Sequence, residues 1–220
     1  MTAKRVLIIT FPSDTHAAAV SWALRQRGAH SDTWYLSDFP DRQSITLAID
    51  SEGSPPRPCV ESSSGTLDLG SYDTIWIRRW VEFAPPDAAH PADGPVIVRE
   101  CDRHVNGVVP FLPESAFYVN PPGARKHANH KAVQLVYARR LGLNIPDTLM
   151  SNDPERVRRF HQAHNGQIVV KTYKPAFWSS PERLLSASTA HVDAASLVHD
   201  EPLRWCPAIY QRRVEKAFEV

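Results

Sequence analysis

The sequence predicts an α/β protein in two parts, a parallel βαβ domain followed by a domain of mixed α+β type. An apolar run at 6–10, a helical stretch and a second strand-like run occur in the order of a βαβ unit. Composition then changes after a double proline, which places the domain boundary between 1–121 and 122–220. The length of 220 residues fits one large domain or two small ones.

The first strand is predicted at 6–10, because a short continuous apolar run is typical of a strand covered on both faces. Asp14 is placed to cap the helix that follows, and Gly28 to end it. A second strand is predicted at 32–36. Strand, helix and strand within so short a stretch imply a parallel pair of strands joined by a crossover.

The remainder of the first domain is predicted to alternate strands and loops. The weakly alternating stretch at 44–69 contains Ser, Gly and Pro, and one interpretation is a hairpin of 44–50 with 57–61. Three further elements are predicted: strands at 73–78 and 117–120, and a helix at 95–111.

The second domain begins with a predicted helix at 125–141, which has recurring apolar residues and ends at Gly142. A strand is expected to begin within 146–150. Asp153 and the Pro-Glu pair after it form a strong helix start, because a capping side chain precedes a proline and an acid in the first turn. Two more strands are predicted, at 167–173 and 208–214.

Charge and composition exclude several classes of partner. The chain has 25 Lys+Arg and 24 Asp+Glu, a net charge of +1, whereas general nucleic-acid or membrane-surface binders need a basic excess. The longest apolar runs are too short to cross a bilayer, and no apolar signal region precedes the first strand. Three scattered cysteines fit a reducing compartment. We therefore expect a cytoplasmic protein with no nucleic-acid and no membrane partner.

No motif predicts a metal site or a standard catalytic site. Two histidine pairs have helical spacing, 127 with 130 and 161 with 164, but a metal needs a third and a fourth ligand. We interpret these histidines as surface residues. The loop at 11–16 is not Gly-rich, so dinucleotide binding is unsupported, and neither a phosphate loop nor a hydrolase motif is present.

Four basic residues are candidates for anion binding. Arg78 and Arg79 end a predicted strand on opposite faces, so one of them could reach an anion or substrate at the carboxyl end of a sheet; a solvated strand end is an equally good interpretation. Lys171 ends an Ile-Val-Val run and can project into a cleft, although an edge lysine is the more ordinary interpretation. Lys131, on a helix after a turn, has the same two interpretations.

Several blocks of sequence in a fixed order carry a resemblance to a known family. They are DTH at 14–16, LSDFP at 36–40, WIRR at 76–79, VNPP at 119–122, ANHKAVQL at 128–135, ARRLGLNIPDTL at 138–149, SNDP at 151–154, VVK at 169–171 and YQRRVE at 210–215. In order and spacing, these blocks resemble the ATP-grasp ligases that mature ribosomal peptides, the microviridin-type and related graspetide macrocyclases. The resemblance covers nearly the whole chain.

The resemblance implies a pre-ATP-grasp domain at 1–121 and an ATP-grasp central and lid subdomain at 122–220. Such ligases phosphorylate a carboxylate with ATP, and a nucleophile then attacks the acyl phosphate. In the macrocyclases the carboxylate belongs to an Asp or Glu of a precursor peptide, and the nucleophile is a Ser or Thr hydroxyl or a Lys amine. The positions that match ATP-binding residues are Lys131 and Lys171 for the phosphates, Arg212 and Arg213 for the hinge at the adenine edge, and Glu219 for the ribose.

The match departs from the family at the hinge. The family usually has Gln-Glu-Tyr where this chain has Gln211, Arg212 and Arg213, so backbone contacts to adenine are kept and a Glu side-chain contact is not. The resemblance also places the Mg²⁺ ligands in a second ATP-grasp half that follows the hinge, whereas this chain stops at 218–220 in a strand-like stretch. We therefore expect a chain truncated at the hinge, inactive alone and weak in ATP binding.

Three functions remain open from the sequence. The first is a ligase that modifies the core of a precursor peptide after recognising its leader. The second is a non-catalytic module that binds such a peptide at 177–205, an insertion rich in Trp, Ser and His that is otherwise the lid subdomain. The third is a glutathione-synthetase-like ligase with another substrate. The Trp-x-Arg-Arg strand and the Asn-Asp-Pro helix start favour the first, and the family's frequent dimers make a homodimer compatible with it.

Overall fold

The structure, a computed structural model, describes residues 4–174, 176–179, 184–215 and 217–218. The chain divides into two compact units, Met1–Arg125 and Lys126–Val220, each of which is described by itself. Within the described residues, no helix is long and apolar enough to span a membrane.

The first unit is built on a four-stranded parallel sheet, as the βαβ pattern predicts. Its strands are β1 (Arg5–Thr10), β2 (His30–Tyr35), β6 (Thr74–Ile77) and β7 (Phe117–Val119), in the order β2-β1-β6-β7. Helix α1 (Thr15–Gln26) makes the crossover from β1 to β2. The chain therefore adds β2 on one side of β1 and β6 on the other, so the direction of winding changes between β1 and β6.

Local chemistry explains the bounds of α1. The Asp14 carboxylate accepts hydrogen bonds from the amides of His16 and Ala17, at 3.1 and 3.3 Å, and so satisfies two of the unpaired N–H groups at the helix start. After the last turn, Gly28 takes a left-handed conformation with φ of 76°, which residues with a Cβ rarely adopt. Both features agree with the sequence prediction.

A small antiparallel sheet and a long helix complete the first unit. The sheet consists of β3 (Gln43–Thr46), β4 (Cys59–Ser62) and β5 (Gly65–Asp68), and the helix is α2 (Gly94–Val108). The pairing of β3 with β4 confirms the hairpin interpretation, whereas β5 was not predicted. The main core of this unit contains Leu7, Ile9, Trp34, Leu36, Ile75, Val105 and Val108, all at most 1% exposed.

Two helices are present at 122–140, where the sequence predicts one. The continuous helix expected at 125–141 is wrong, because α3 (Pro122–Ala128) ends before α4 (Lys131–Arg140) begins. Between them, His130 has an extended backbone, with φ of −72° and ψ of 117°, which no residue inside a helix can adopt. The apolar residues of α4 do not form a buried face. No residue of that helix is buried, and Val136 is 49% exposed.

The second unit contains a four-stranded antiparallel sheet of order β12-β9-β13-β8. Its strands are β8 (Thr148–Ser151), β9 (Ile168–Lys171), β12 (Ala190–His191) and β13 (Ala208–Arg212). A hairpin of β10 (Ala176–Ser179) and β11 (Leu184–Ala187) and the helices α5 (Pro154–Ala163) and α6 (Asp200–Trp205) are the remaining elements. The core of this unit includes Val157, Ile168, Val192, Leu197 and Tyr210.

Asp153 caps α5 as predicted, since its carboxylate accepts from the amides of Glu155 and Arg156 at 3.0 and 3.3 Å. Replacing Asp153 by alanine is expected to lower the local free energy of unfolding of α5 by about 1 kcal/mol, because two N–H groups lose their acceptor. Native-state hydrogen exchange of the α5 amides measures this loss. Asp153→Asn keeps an acceptor and should stay close to the parent chain. An alanine variant with unchanged exchange would show that the cap does not stabilise the helix.

Candidate functional site

A cavity of about 620 Å³ opens in the second unit beside β9 and β13. Val169 and Lys171 both line it because alternate residues of a strand face the same side. The chain that continues from β13 forms another wall. The lining consists of Pro146, Val169, Lys171, Thr189, Gln211, Arg212, Arg213, Val214 and Glu215.

Lys171, which lines this cavity, has a hydrogen-bond partner within the protein. Its Nζ donates to Oε1 of Gln211 at 2.6 Å, and Gln211 is only 7% exposed. An ammonium has three donors, and no second acceptor for Nζ is found among the described residues. Two donors therefore remain for a ligand in the cavity.

Arg212 and Arg213 bring further positive charge to the cavity. The Arg212 guanidinium is 3.9 Å from the Asp147 carboxylate, and the Arg213 side chain is exposed. With Lys171, three cations line the cavity, and Glu215 is the one carboxylate among the described lining residues. The balance of charge suits a polyanion such as a triphosphate.

The backbone amides of Arg212 and Arg213 already have acceptors. The Arg212 amide donates to the carbonyl of Asp147 at 2.9 Å, and the Arg213 amide donates to the carbonyl of Gln167 at 2.8 Å. Within the described part of the chain, the Val214 amide has no backbone acceptor. Of these three described amides, that of Val214 is therefore the one that could donate to a ligand in the cavity.

Of the residues predicted for the nucleotide site, one does not line this cavity and another is not among the described residues. Lys131 is the first residue of α4, where its Nζ donates to Oε1 of Gln134 at 3.3 Å, and it does not line the cavity. Its role as a phosphate contact stays a prediction. Glu219 lies outside the described residues, so its predicted contact with the ribose is not addressed.

In the first unit, Arg78 and Arg79 follow β6 and have different environments. Both amides donate to the carbonyl of Ile9, at 2.9 and 3.1 Å. The Arg78 side chain is 19% exposed, and its Nε lies 3.5 Å from Asp14. Arg79 is exposed. Of the two, Arg79 is thus the one left available to an anion at the carboxyl edge of the sheet.

Asp14 is held as a buried anion beside Arg78. Its Oδ2 accepts from the hydroxyl of Thr10 at 2.7 Å, and Thr10 is fully buried. Burial by itself raises the pKa of the Asp14 carboxyl. The hydrogen bonds from Thr10 and from the α1 amides, together with the charge of Arg78, outweigh that effect and hold the pKa below its usual range.

The structure adds Gln211 and Thr148 to the candidate site, and sequence reasoning missed both. Gln211 donates through Nε2 to the hydroxyl of Thr148 at 2.9 Å, so a polar chain runs beneath Lys171. A glutamine directly after the apolar run 208–210 and within the same strand was the available signal.

The described residues contain no group of three or more His, Cys, Asp or Glu side chains that could hold a metal ion. Of the histidines considered above, His164 is largely buried and packs edge-on against Phe160, with ring centroids 4.5 Å apart. The described residues therefore do not fit a Mg²⁺ site.

Comparison with known proteins identifies the fold. Neither a protein-family model nor a curated protein matches the chain. The macrocyclase MdnC of Microcystis aeruginosa, solved with the precursor peptide MdnA, is 28% identical, with a TM-score of 0.84 over 97% of this chain and 69% of MdnC. MdnB of the same organism, also a macrocyclase, is 25% identical, with a TM-score of 0.77 over 97% of this chain and 69% of its own.

A third structure extends the likeness to another organism. A ligase of Chryseobacterium gregarium, described as a RiPP-associated ATP-grasp ligase in complex with ADP and a leader and core peptide, has a TM-score of 0.81 at 20% identity. The alignment covers 97% of this chain and 64% of that one. The resemblance found in the sequence is thereby confirmed: this chain has the fold of the ATP-grasp ligases of ribosomal peptides, over about two thirds of their length.

Proposed function

We propose that the chain belongs to an ATP-dependent ligase that joins side chains of a ribosomal precursor peptide. The observation that carries the proposal is the cavity of about 620 Å³ that is lined by Lys171, Arg212 and Arg213. This charge pattern fits a nucleoside triphosphate. The likeness to MdnC, which is solved with its precursor peptide, supports the choice of a peptide as the second substrate.

ATP is the proposed ligand of the cavity. Lys171 would place two ammonium donors on phosphate oxygens, and such charge-assisted hydrogen bonds are among the stronger contacts in proteins. Arg212 and Arg213 would lower the electrostatic cost of bringing a polyanion into the cavity. The carbonyls of the hinge and the Val214 amide would meet the edge of the adenine, as the resemblance implies for this position.

The proposed reaction has two steps. A carboxylate oxygen of an Asp or Glu of the peptide attacks the γ-phosphorus of ATP, the bond to the β-phosphate oxygen breaks, and ADP leaves. A Ser or Thr hydroxyl, or a Lys amine, then attacks the acyl carbon, loses its proton and releases inorganic phosphate. The product is a side-chain ester or amide, and the two steps together remove one water from the peptide.

Arg79 is proposed as a contact for a carboxylate of the peptide. It is exposed and follows β6, next to the point where the winding of the sheet changes direction, which is the usual place for ligands in open α/β sheets. Arg78 would act differently, because its charge is already paired with Asp14. Arg79→Met would then weaken peptide binding more than it weakens ATP binding.

The proposal is tested by adding Mg·ATP to the isotope-labelled chain and then a peptide with a Thr- and Asp/Glu-rich core encoded beside the gene. We expect ATP to shift the backbone resonances of Val169, Lys171 and Val214. In a chain with the complete ATP-grasp site, the peptide should then trigger release of ADP and lose one water for each crosslink. Unshifted cavity resonances at saturating ATP would refute the nucleotide site.

Calorimetry and assays of ADP release separate the alternatives. Heat on mixing with the peptide and none with Mg·ATP would favour the non-catalytic binding module. ATP-dependent joining of free amino acids, with no effect of the peptide, would favour a glutathione-synthetase-like ligase. ADP release that requires the peptide favours the proposal over both.

A further inference from the structure

We propose that Gln211 is a positioning residue, which holds the Lys171 ammonium in place through a chain of hydrogen bonds anchored at the carbonyl of Pro146. This inference rests on the proposed nucleotide site and names a residue that acts there through another. Gln211 lies in β13, between β9 with Lys171 and β8 with Thr148, so the chain of hydrogen bonds crosses three adjacent strands.

The direction of every bond in this chain is determined by chemistry. The Thr148 hydroxyl donates its single proton to the carbonyl of Pro146 at 2.9 Å. Its oxygen must therefore accept from Nε2 of Gln211, at 2.9 Å, and this fixes the orientation of the amide. The amide oxygen Oε1 is then left facing Lys171, whose Nζ donates to it at 2.6 Å.

Because Gln211 is buried, its side-chain amide is restricted to one orientation. Gln211 is 7% exposed, and a buried amide is costly unless its polar atoms are hydrogen-bonded. Gln211 pairs with Val169 of β9, so its side chain lies on the same face of the sheet as the side chains of Val169 and Lys171. An amide turned the other way would set an N–H group against the ammonium and leave both without an acceptor. Only one orientation satisfies all three side chains.

The consequence is a lysine that is ordered before the ligand binds. A free lysine loses rotamer entropy when its ammonium is fixed on a phosphate, which weakens binding. Here one donor is already fixed on Gln211, and the other two remain for the ligand. Gln211 and Thr148 would thus raise the affinity for a phosphate group without touching it.

The test is the ¹H–¹⁵N signal of the Lys171 ammonium in the ligand-free chain, which is visible when hydrogen bonds slow its exchange with water. Thr148→Val removes the hydroxyl and keeps the shape, so we expect this signal to be lost and ATP affinity to fall about tenfold. Thr148→Ser should restore both. Thr46→Val, on the edge strand β3 of the first unit, is the matched control and should change neither.

The outcomes distinguish the positioning role from the proposed function. A Lys171 signal that persists unchanged in Thr148→Val would overturn the positioning role. A signal that is lost in Thr148→Val while the parent chain binds no ATP supports the positioning role and refutes the nucleotide site.

A second variant covers the case in which Thr148→Val does not fold. Gln211→Glu keeps the acceptor facing Lys171, so the ammonium signal should remain, while the added negative charge should weaken ATP binding. Loss of the signal in this variant, in which residue 211 still offers an acceptor, would show that this acceptor is not what orders the ammonium, and the inference would fail.

Discussion

Replacing Lys171 by methionine is expected to weaken ATP binding ten- to hundredfold. Methionine keeps most of the length of the stem and removes the ammonium, which is the only lysine ammonium among the described residues that line the cavity. A hydrogen bond to a charged group contributes about 1.5–3 kcal/mol, and each 1.4 kcal/mol is roughly tenfold in affinity. Titration with Mg·ATP followed by NMR measures the change and remains sensitive when binding is weak.

Two lysines of α3 and α4 serve as comparisons. Lys126 is exposed in α3 and does not line the cavity, so Lys126→Met should leave ATP affinity unchanged. Lys131→Met is the more informative variant, because the resemblance assigns Lys131 to the phosphates although the structure does not place it in the cavity. A loss as large as that of Lys171→Met would confirm the role that the resemblance gives to Lys131. Unchanged binding in Lys171→Met would mean that ATP does not occupy this cavity.

The parts of the fold that could be predicted are those with local signals. The unit β1-α1-β2 follows from a continuous apolar run, a capping aspartate and a glycine with positive φ, all of which act within a few residues. The α5 start at Asp153 is another such case. These signals need no knowledge of what packs against the element.

The missed elements lack such signals. The break between α3 and α4 falls at Asn129 and His130, where no proline or glycine interrupts the pattern. The turn between β4 and β5 is formed by Ser63 and Ser64, and it has none of the Asn-Gly or Asp-Gly pairs that mark two-residue hairpins. Periodicity alone therefore extended one helix too far and left one strand unassigned.

In the candidate site, too, some residues could be predicted from local sequence and others could not. Lys171 could be singled out because it ends a buried run, but its partner Gln211 is 40 residues away in sequence. Thr148 is 63 residues from Gln211. Strand register in the folded sheet brings the three together, and a single sequence does not state that register. Likewise, adjacent arginines at 78 and 79 gave no sign that Asp14 would neutralise one of them.

The ion pair of Asp14 with Arg78 leads to the second prediction of a large effect. Replacing Asp14 by alanine is expected to lower the free energy of unfolding of the first unit by about 2–3 kcal/mol at neutral pH. The variant loses a helix cap and the acceptor of the buried Thr10 hydroxyl, and it leaves the Arg78 guanidinium largely buried without its partner. Native-state hydrogen exchange of the β1 amides measures it. Asp153→Ala, measured on the α5 amides, is the matched control, because it removes a similar cap with no buried partner and should cost about 1 kcal/mol.

The effect of the charge alone is separated by Asp14→Asn and by pH. Asparagine can still cap α1 but cannot pair with Arg78. Because the pKa of Asp14 is lower in the folded chain, its contribution is complete above the unfolded value of about 3.9 and is lost as the pH falls through the folded value. The parent chain should thus be more stable than Asp14→Asn at neutral pH, and the two should converge in acid. A difference that persists below both pKa values would mean that shape rather than charge makes Asp14 stabilising.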